Sequence, residues 1–456
     1  MLFKPNEIKA TTLDIPREEA RTLVKRYGFK DYEYMDRFNL EVLLKLANKA
    51  DVNVLPELYN QKVNLKIGYG FNYCLPGAFI DRNVTENLLE VPILKEFLAR
   101  GCGIKFIGKS SAKFQEFGGY PMEDYSSEWK KLPRPYKPIP DWIADCVENY
   151  EDKYEMELPD VDFVIMNAFP SFFYSNMMFY LINLHYARKG IPVFLWDIEF
   201  RTLRSKESDS FPKIFRYSGA DRIFTEGDFE EIASNSTWLL QIPGEALSRV
   251  KRLNPGINVL PFFPPYWLRR DDLGIFNMKK KTRYRLTYVG NDSERRKTIR
   301  KYFTPLSKKN RLHLFGGGMS QRSEGYEGFD AYLGDIKMHG PISQDQVWNT
   351  YNLSRTCLSV ARQRYYNVGF VVHRWFEAVL GGSILLLPQE LYGVEKYFHS
   401  GFLVEDSDHL EERINYFNDE VKFSKLVKLH NFQKKFILGL FSSEKGVDTI
   451  FRTIGK

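Results

Sequence analysis

Cysteine is scarce in this chain, and Cys74, Cys102, Cys146 and Cys357 lie far apart with no C-x-x-C pair. That argues against a disulfide framework or a cysteine-rich zinc centre and suits a reducing cytoplasm. The histidines show no H-x-x-x-H spacing, so a helical zinc motif is missing as well. No run of about 18 apolar residues occurs, which argues against a membrane span. The best candidate, 172–187, is broken by Ser175, Asn176, Asn183 and His185 and reads as a core helix. Met1-Leu2-Phe3-Lys4-Pro5 runs straight into polar residues, so no secretory signal is visible and a cytoplasmic location is expected. Two glycine strings also fall short of nucleotide motifs. Gly68-Tyr69-Gly70 has Tyr73 where G-x-G-x-x-G needs its third glycine, and Gly316-Gly317-Gly318 lacks the Lys-Ser/Thr of a P-loop. Both read as tight turns.

What is present is a soluble globular composition, 43% apolar and 27% charged, on 456 residues, long enough for two or three cores. Charge is uneven. Residues 1–250 hold 32 Lys/Arg against 37 Asp/Glu, whereas 251–456 hold 33 against 21, a net +12. Much of the excess falls in a band from Arg269 to Arg311, with 15 basic and 4 acidic residues, including Lys279, Lys280 and Lys281. Such a field attracts phosphate, as a nucleotide or as a nucleic-acid backbone; the competing reading is a solubilising surface.

Strand and helix signals alternate along the chain. Strands are expected at 63–67, 104–107, 161–166, 192–196 and 220–225, then, after a proline-rich crossover at 254–265, at 285–289, 312–315, 356–360, 383–387 and 402–404. Near-continuous apolar strands alternating with helices mean a parallel, doubly wound α/β sheet. The expected organisation is an amino-terminal domain with a helical extension (1–260), a second α/β domain (261–430), and a terminal helix (431–456) that can cross back to the first.

Residues 367–387 carry the most information. A short helix bears Arg374 and Glu377, three apart and so on one face, and ends at Gly381-Gly382 before a buried strand. At the mouth of an α/β sheet an arginine can take a diphosphate and a glutamate ribose hydroxyls. The competing reading is a plain i,i+3 ion pair. Three loops should converge on the same ligand: Gly290-Asn291 with Arg295 behind it, His339-Gly340-Pro341-Ile342, and Arg362-Gln363-Arg364 through Asn367. Asp197, at the end of the 192–196 strand, is the candidate base for an acceptor hydroxyl, with Glu199 as the alternative and a helix N-cap as the competing role for Asp197. Asp406-Ser407-Asp408 has D-x-D spacing but sits at a helix start and reads as a cap; no obligatory metal site is expected.

The segment from about Arg285 to Asp419 resembles the carboxy-terminal domain of family-1-type glycosyltransferases, especially the spore-maturation glycosyltransferase-like branch. The resemblance is carried by Tyr288-Val289-Gly290, Leu314-Phe315-Gly316, His339-Gly340, Val347-Trp348 with Tyr351 and Ser354, Arg374-Trp375-Phe376-Glu377-Ala378 with Gly381, and Val404-Glu405-Asp406 with Leu410. It implies a GT-B fold, two Rossmann-like domains facing a cleft, and a nucleotide-sugar donor, uridine diphosphate-linked by family default. It also implies that the His339–Ile342 loop meets the nucleotide base through its main chain. The pattern departs at Gly369, where retaining enzymes often carry a glutamate eight residues before the ribose-binding one. Phage DNA glycosyltransferases, which act on hydroxymethylated pyrimidines, share this two-domain plan. With the basic band, that makes double-stranded DNA with modified bases the favoured acceptor, Tyr69, Phe71 and Tyr73 candidate stacking residues for a flipped base, and Lys279 to Lys281 candidate phosphate contacts. A surface polysaccharide, lipid or protein acceptor is the alternative, and a non-catalytic nucleotide- or nucleic-acid-binding protein of the same fold is the second class.

Overall fold

A computed structural model describes residues 63–70, 93, 96–97, 100–106, 122–124, 160–168, 183–200, 202–209, 226–264, 277–292, 294–307, 312–316, 333, 337–340, 342 and 344–455. The chain divides into two compact units, with a break between Trp267 and Leu268. The carboxy-terminal stretch from Ser443 belongs to the first unit.

The first unit is built on seven strands: β1 (Lys66–Gly70), β2 (Gly103–Phe106), β3 (Met122–Asp124), β4 (Phe163–Asn167), β5 (Val193–Trp196), β6 (Ser236–Leu240) and β7 (Asn258–Pro261), in the order β3-β2-β1-β4-β5-β6-β7. Every pairing is parallel. Helices α1 (Glu226–Asn235) and α2 (Gly244–Leu253) flank its later strands. Three strands of this unit, β3, β6 and β7, go beyond the sequence expectation. Residues 254–265 contain β7 rather than a bare crossover; Pro261 is tolerated because it closes an edge strand that needs no donor on its outer side. The strand expected at 220–225 lies outside the described residues, as do Phe71 and Tyr73.

The second unit has six strands, β8 (Tyr284–Val289), β9 (Leu312–Phe315), β10 (Lys337–Met338), β11 (Ser354–Leu358), β12 (Ile384–Pro388) and β13 (Leu403–Val404), ordered β10-β9-β8-β11-β12-β13 and again parallel throughout. Its helices are α3 (Arg296–Ser307), α4 (Gln344–Asn352), α5 (Gln363–Val368), α6 (His373–Leu380), α7 (Ser407–Asn415) and α8 (Phe423–Leu440). β11 and β12 are buried along their whole length, as parallel strands covered on both faces must be. Asp406, not Asp408, caps α7, accepting from the His409 N–H at 2.9 Å.

β13 pairs with β12 only at Leu387 and Pro388, which leaves the edge of β12 open at Leu385. The Gln433 amide of α8 fills that edge, accepting from the Leu385 N–H at 3.0 Å and donating to its carbonyl at 2.7 Å. The chain then breaks at Phe441–Ser442, and α9 (Ser443–Thr453) packs in the first unit. There Arg100 bonds Glu96 at 2.9 Å, Asp448, and the Glu444 carbonyl at 3.3 Å, and lies over the Phe451 ring. Gly446 lets α9 approach Phe262, whose ring a Cβ would meet at 2.8 Å.

Candidate functional site

In an open parallel sheet, ligands bind beyond the carboxyl ends of the strands where the strand order reverses. In the second unit that point lies between β8 and β11. The loops leaving these strands carry Gly290, Asn291 and Arg295 on one side and Arg362 and Arg364 on the other. α6 runs back from the same edge with Arg374 in its first turn. Sequence spacing alone could not bring these segments together; the topology does.

Tyr288, the next-to-last residue of β8, is the hub. Its buried hydroxyl donates to the Asn291 carbonyl at 2.7 Å, holding the turn beyond the strand. Arg295 closes that turn, bonding the Asn291 carbonyl at 3.2 Å and its side-chain oxygen. Burial raises the Tyr288 phenol, while Arg295, Arg374 and Arg362 act to lower it and Asp292 to raise it. Three guanidiniums are therefore within electrostatic reach of one ring. Arg364 pairs with Glu294 at 3.3 Å, and the Gln363 N–H donates to the Glu294 carbonyl at 3.3 Å, tying the start of α5 to the β8 loop. Asn367 accepts from the Gln363 side chain at 3.4 Å.

The glycine loops are zipped together through their main chains. The Gly290 N–H donates to the Phe315 carbonyl at 2.9 Å, the Gly316 N–H to the Gly340 carbonyl at 2.7 Å, and the His339 N–H to the Leu314 carbonyl at 2.9 Å. Gly316 has φ 136°, and a Cβ there would lie 1.9 Å from the Gly290 carbonyl oxygen, so no other residue fits. His339 is exposed and stacks on Phe315 with centroids 4.2 Å apart; its Nε2 lies 2.9 Å from His313 Nδ1. Ile342 is half-buried beside them in the chain.

Several expected residues take other places. Arg374 and Glu377 do share a face, but they bond each other, and Glu377 is fully buried beneath an Arg374 that is 31% exposed. Glu377 thus holds Arg374 in this structure and does not face solvent. Tyr69 lies within β1 between Phe106 and Ile165 by register and is buried, a core residue and not a stacking platform. Lys279 to Lys281 precede β8, at the amino end of the sheet. A six-residue strand rising ~3.3 Å per residue puts them roughly 20 Å from the loops beyond Val289. Asp197 follows β5 and is buried; its Oδ2 accepts from the Thr202 N–H at 2.9 Å and hydroxyl at 2.6 Å. It braces a turn and caps no helix. Glu199, two residues on, is half-buried. Sequence reasoning missed the hub role of Tyr288 and the contributions of Glu294 and His313. Only His313, alternating with Phe315 on a strand, left a signal.

Among the described residues no cluster of three or more metal-ligating side chains occurs, and no helix is long and apolar enough to cross a membrane.

Residues 295–426 match the Glycosyl transferase-like family model. No curated protein matches the chain. Among solved structures, T4 phage BGT in complex with its UDP-glucose substrate aligns at 12% identity over 86% of this chain and 99% of its own, with TM-score 0.50. A glycosyltransferase from Rickettsia africae aligns at 13% identity, covering 87% and 100%, with TM-score 0.50. A UDP-forming α,α-trehalose-phosphate synthase from Burkholderia xenovorans aligns at 10%, covering 86% and 99%, with TM-score 0.51. The chain has the GT-B glycosyltransferase fold, two Rossmann-like α/β units, and the sequence signature of a glycosyl transferase over the segment that supplies the arginine-rich edge.

Proposed function

We propose that this nucleotide-sugar-dependent glycosyltransferase binds a UDP-sugar at the carboxyl edge of the β8–β11 sheet and transfers the sugar to a hydroxyl acceptor. The observation that carries the reading is the gathering of Arg295, Arg362 and Arg374 about Tyr288 at the point where strand order reverses. Like charges brought this close favour an anion among them, and a diphosphate meets the planar guanidinium fork with two oxygens at a time. As the glycosidic bond breaks, negative charge grows on the leaving diphosphate, and cations held in place beforehand stabilise that charge. A uridine donor is supported by the UDP-glucose in T4 phage BGT and by the UDP-forming reaction named for the Burkholderia enzyme.

Glu377 serves this site by fixing Arg374. Calorimetry with UDP-glucose tests the assignment. Arg374→Ala loses a charge-assisted contact and should weaken binding about ten- to a hundredfold, equivalent to ~1.5–3 kcal/mol. Glu377→Gln keeps the shape and releases the guanidinium, so it should weaken binding less. Unchanged affinity in both variants, with the fold intact, overturns the assignment. Hydrolysis of labelled donor separates an enzyme from a binding protein of the same fold.

For the acceptor, the proposal is DNA carrying a hydroxymethylated pyrimidine, supported by the net +12 of residues 251–456. Transfer of labelled sugar to hydroxymethylated duplex, but not to unmodified duplex, is the expected result. Transfer to neither assigns the enzyme to a glycan, lipid or protein acceptor.

A further inference from the structure

The lysine run lies at the wrong end of the sheet to touch a donor, yet it is not a loose solvated tail. Residues 277–283 read Asn-Met-Lys-Lys-Lys-Thr-Arg, four cations and no acid. Lys279, Lys280, Lys281 and Arg283 are all exposed. Beneath them sits Arg355, from the start of β11, itself 5% exposed. Its two terminal nitrogens donate to the Lys279 carbonyl at 3.1 Å and the Lys280 carbonyl at 2.8 Å, and its guanidinium overlies the Phe423 ring at 6.0 Å. No carboxylate pairs with Arg355 among the described residues, and burial alone lowers its pKa. Burying a cation without a counter-ion is costly. Here the arrangement pins the backbone that carries three lysines. Lys422, exposed, adjoins Phe423 from a separate part of the chain. Of the two acids that closely precede Lys422, Asp419 is engaged by Arg285 and Glu420 is exposed.

We infer that this buttressed cluster of Lys279, Lys280, Lys281, Arg283 and Lys422 is a docking surface for the phosphate backbone of a nucleic acid, separate from the donor edge. Five exposed cations from two segments suit a polyanion with regularly spaced charges. Stable membrane attachment would need an apolar component beside the charge. The exposed large hydrophobic residue among those described, Phe432, lies nine positions along α8 from Phe423 and so on the opposite side of the helix. The inference shares only its polyanion with the proposed acceptor and is independent of the donor reading.

Fluorescence anisotropy of labelled, unmodified duplex DNA on the whole chain tests it, with UDP-glucose calorimetry as the control for the fold. Binding should weaken with salt at a log–log slope of about −0.9 per phosphate neutralised, roughly −3.5 to −4.5 if four or five of the cations engage. The K279E/K280E/K281E variant changes exposed residues only and should lose at least about tenfold in duplex affinity with UDP-glucose binding unchanged. Arg355→Lys keeps a cation but loses the planar fork whose separate nitrogens span the two carbonyls, and should lose part of that affinity. If the triple variant binds duplex as tightly as the parent, or if anionic phosphatidylserine vesicles bind the parent and duplex does not, the inference is wrong. Loss of duplex binding with sugar transfer to another acceptor retained would keep the surface and overturn only the acceptor proposal.

Discussion

The two sheets follow one plan and finish it differently. Each is wholly parallel and reverses its strand order once, between β1 and β4 in the first unit and between β8 and β11 in the second. At the carboxyl end of the second, cations reach the surface: Arg374 is 31% and Arg364 18% exposed, each braced by an acid beside it. In the first unit, the acid at the end of β5 turns inward instead. Asp197 is satisfied by Thr202, whose hydroxyl in turn accepts from the Trp238 indole at 2.8 Å. A carboxylate at the end of a strand is therefore not by itself a base. Three arginines converging on one ring at the switch point carry more information, because each adds positive charge where an anionic ligand would sit.

The largest effect should come from breaking the glycine zip. Gly316→Ala drives a methyl into the Gly290 carbonyl and forces a side chain into a positive-φ backbone. A loss of about 4 kcal/mol is expected, the upper range for one substitution, together with loss of UDP-glucose binding. The matching change in the first unit, Gly103→Ala, meets nothing within 4 Å and should fall within roughly 1 kcal/mol of the parent. Denaturant unfolding of the two variants measures the contrast; similar losses in both would show that the loops of the second sheet are not specially constrained.

Acid should also separate the units. His430 of α8 is buried and bonds the Val379 carbonyl at 2.6 Å, and burial pushes it down to about 4. A histidine whose folded pKa is depressed binds protons more readily when unfolded. Its contribution is therefore complete above the unfolded value near 6.5 and is lost as pH falls from about 6.5 to about 4. The difference corresponds to about 3 kcal/mol across that window. His185 in the first unit is lowered too, by burial and by Lys189, but it is only half-buried. His430→Gln should flatten the acid limb of stability in the second unit. An unchanged pH profile in that variant assigns the acid sensitivity elsewhere.

The fold was legible where a strand's physics is local. The apolar runs at β8, β9, β11 and β12 declare buried parallel strands to within a residue or two. β6 was missed because Ser236 follows α1 directly, with no turn residue to mark the change, and β7 because Pro261 argues against a strand anywhere but at an edge. In the site, spacing placed Arg374 and Glu377 on one face correctly. It could not say that the glutamate would be sealed beneath the arginine, since burial depends on what packs above. Counting charge along the chain merged Lys279 to Lys281 with Arg295 into one band. The strand between them carries the two groups to opposite ends of the sheet.

The smallest expected effect decides the role of Asp197. Thr202→Val removes one donor to the carboxylate and leaves the buried Trp238 N–H without its acceptor. That should cost about 1–2 kcal/mol of stability, the penalty of an unsatisfied buried group. Asp197→Asn is subtler. Its side-chain oxygen can still accept from the Thr202 N–H and hydroxyl, so a pure brace loses well under ~1 kcal/mol and turnover survives, with Glu199→Gln then the variant that stops transfer. If Asp197 takes the acceptor's proton, the same change abolishes transfer while stability and UDP-glucose binding stay put, because an amide has no basic oxygen at neutral pH. Measuring stability and turnover on both variants separates the two roles. The buried geometry favours the brace, which would leave the first sheet using its strand-end carboxylate for structure and, on the proposed donor assignment, the second using its arginines for a ligand.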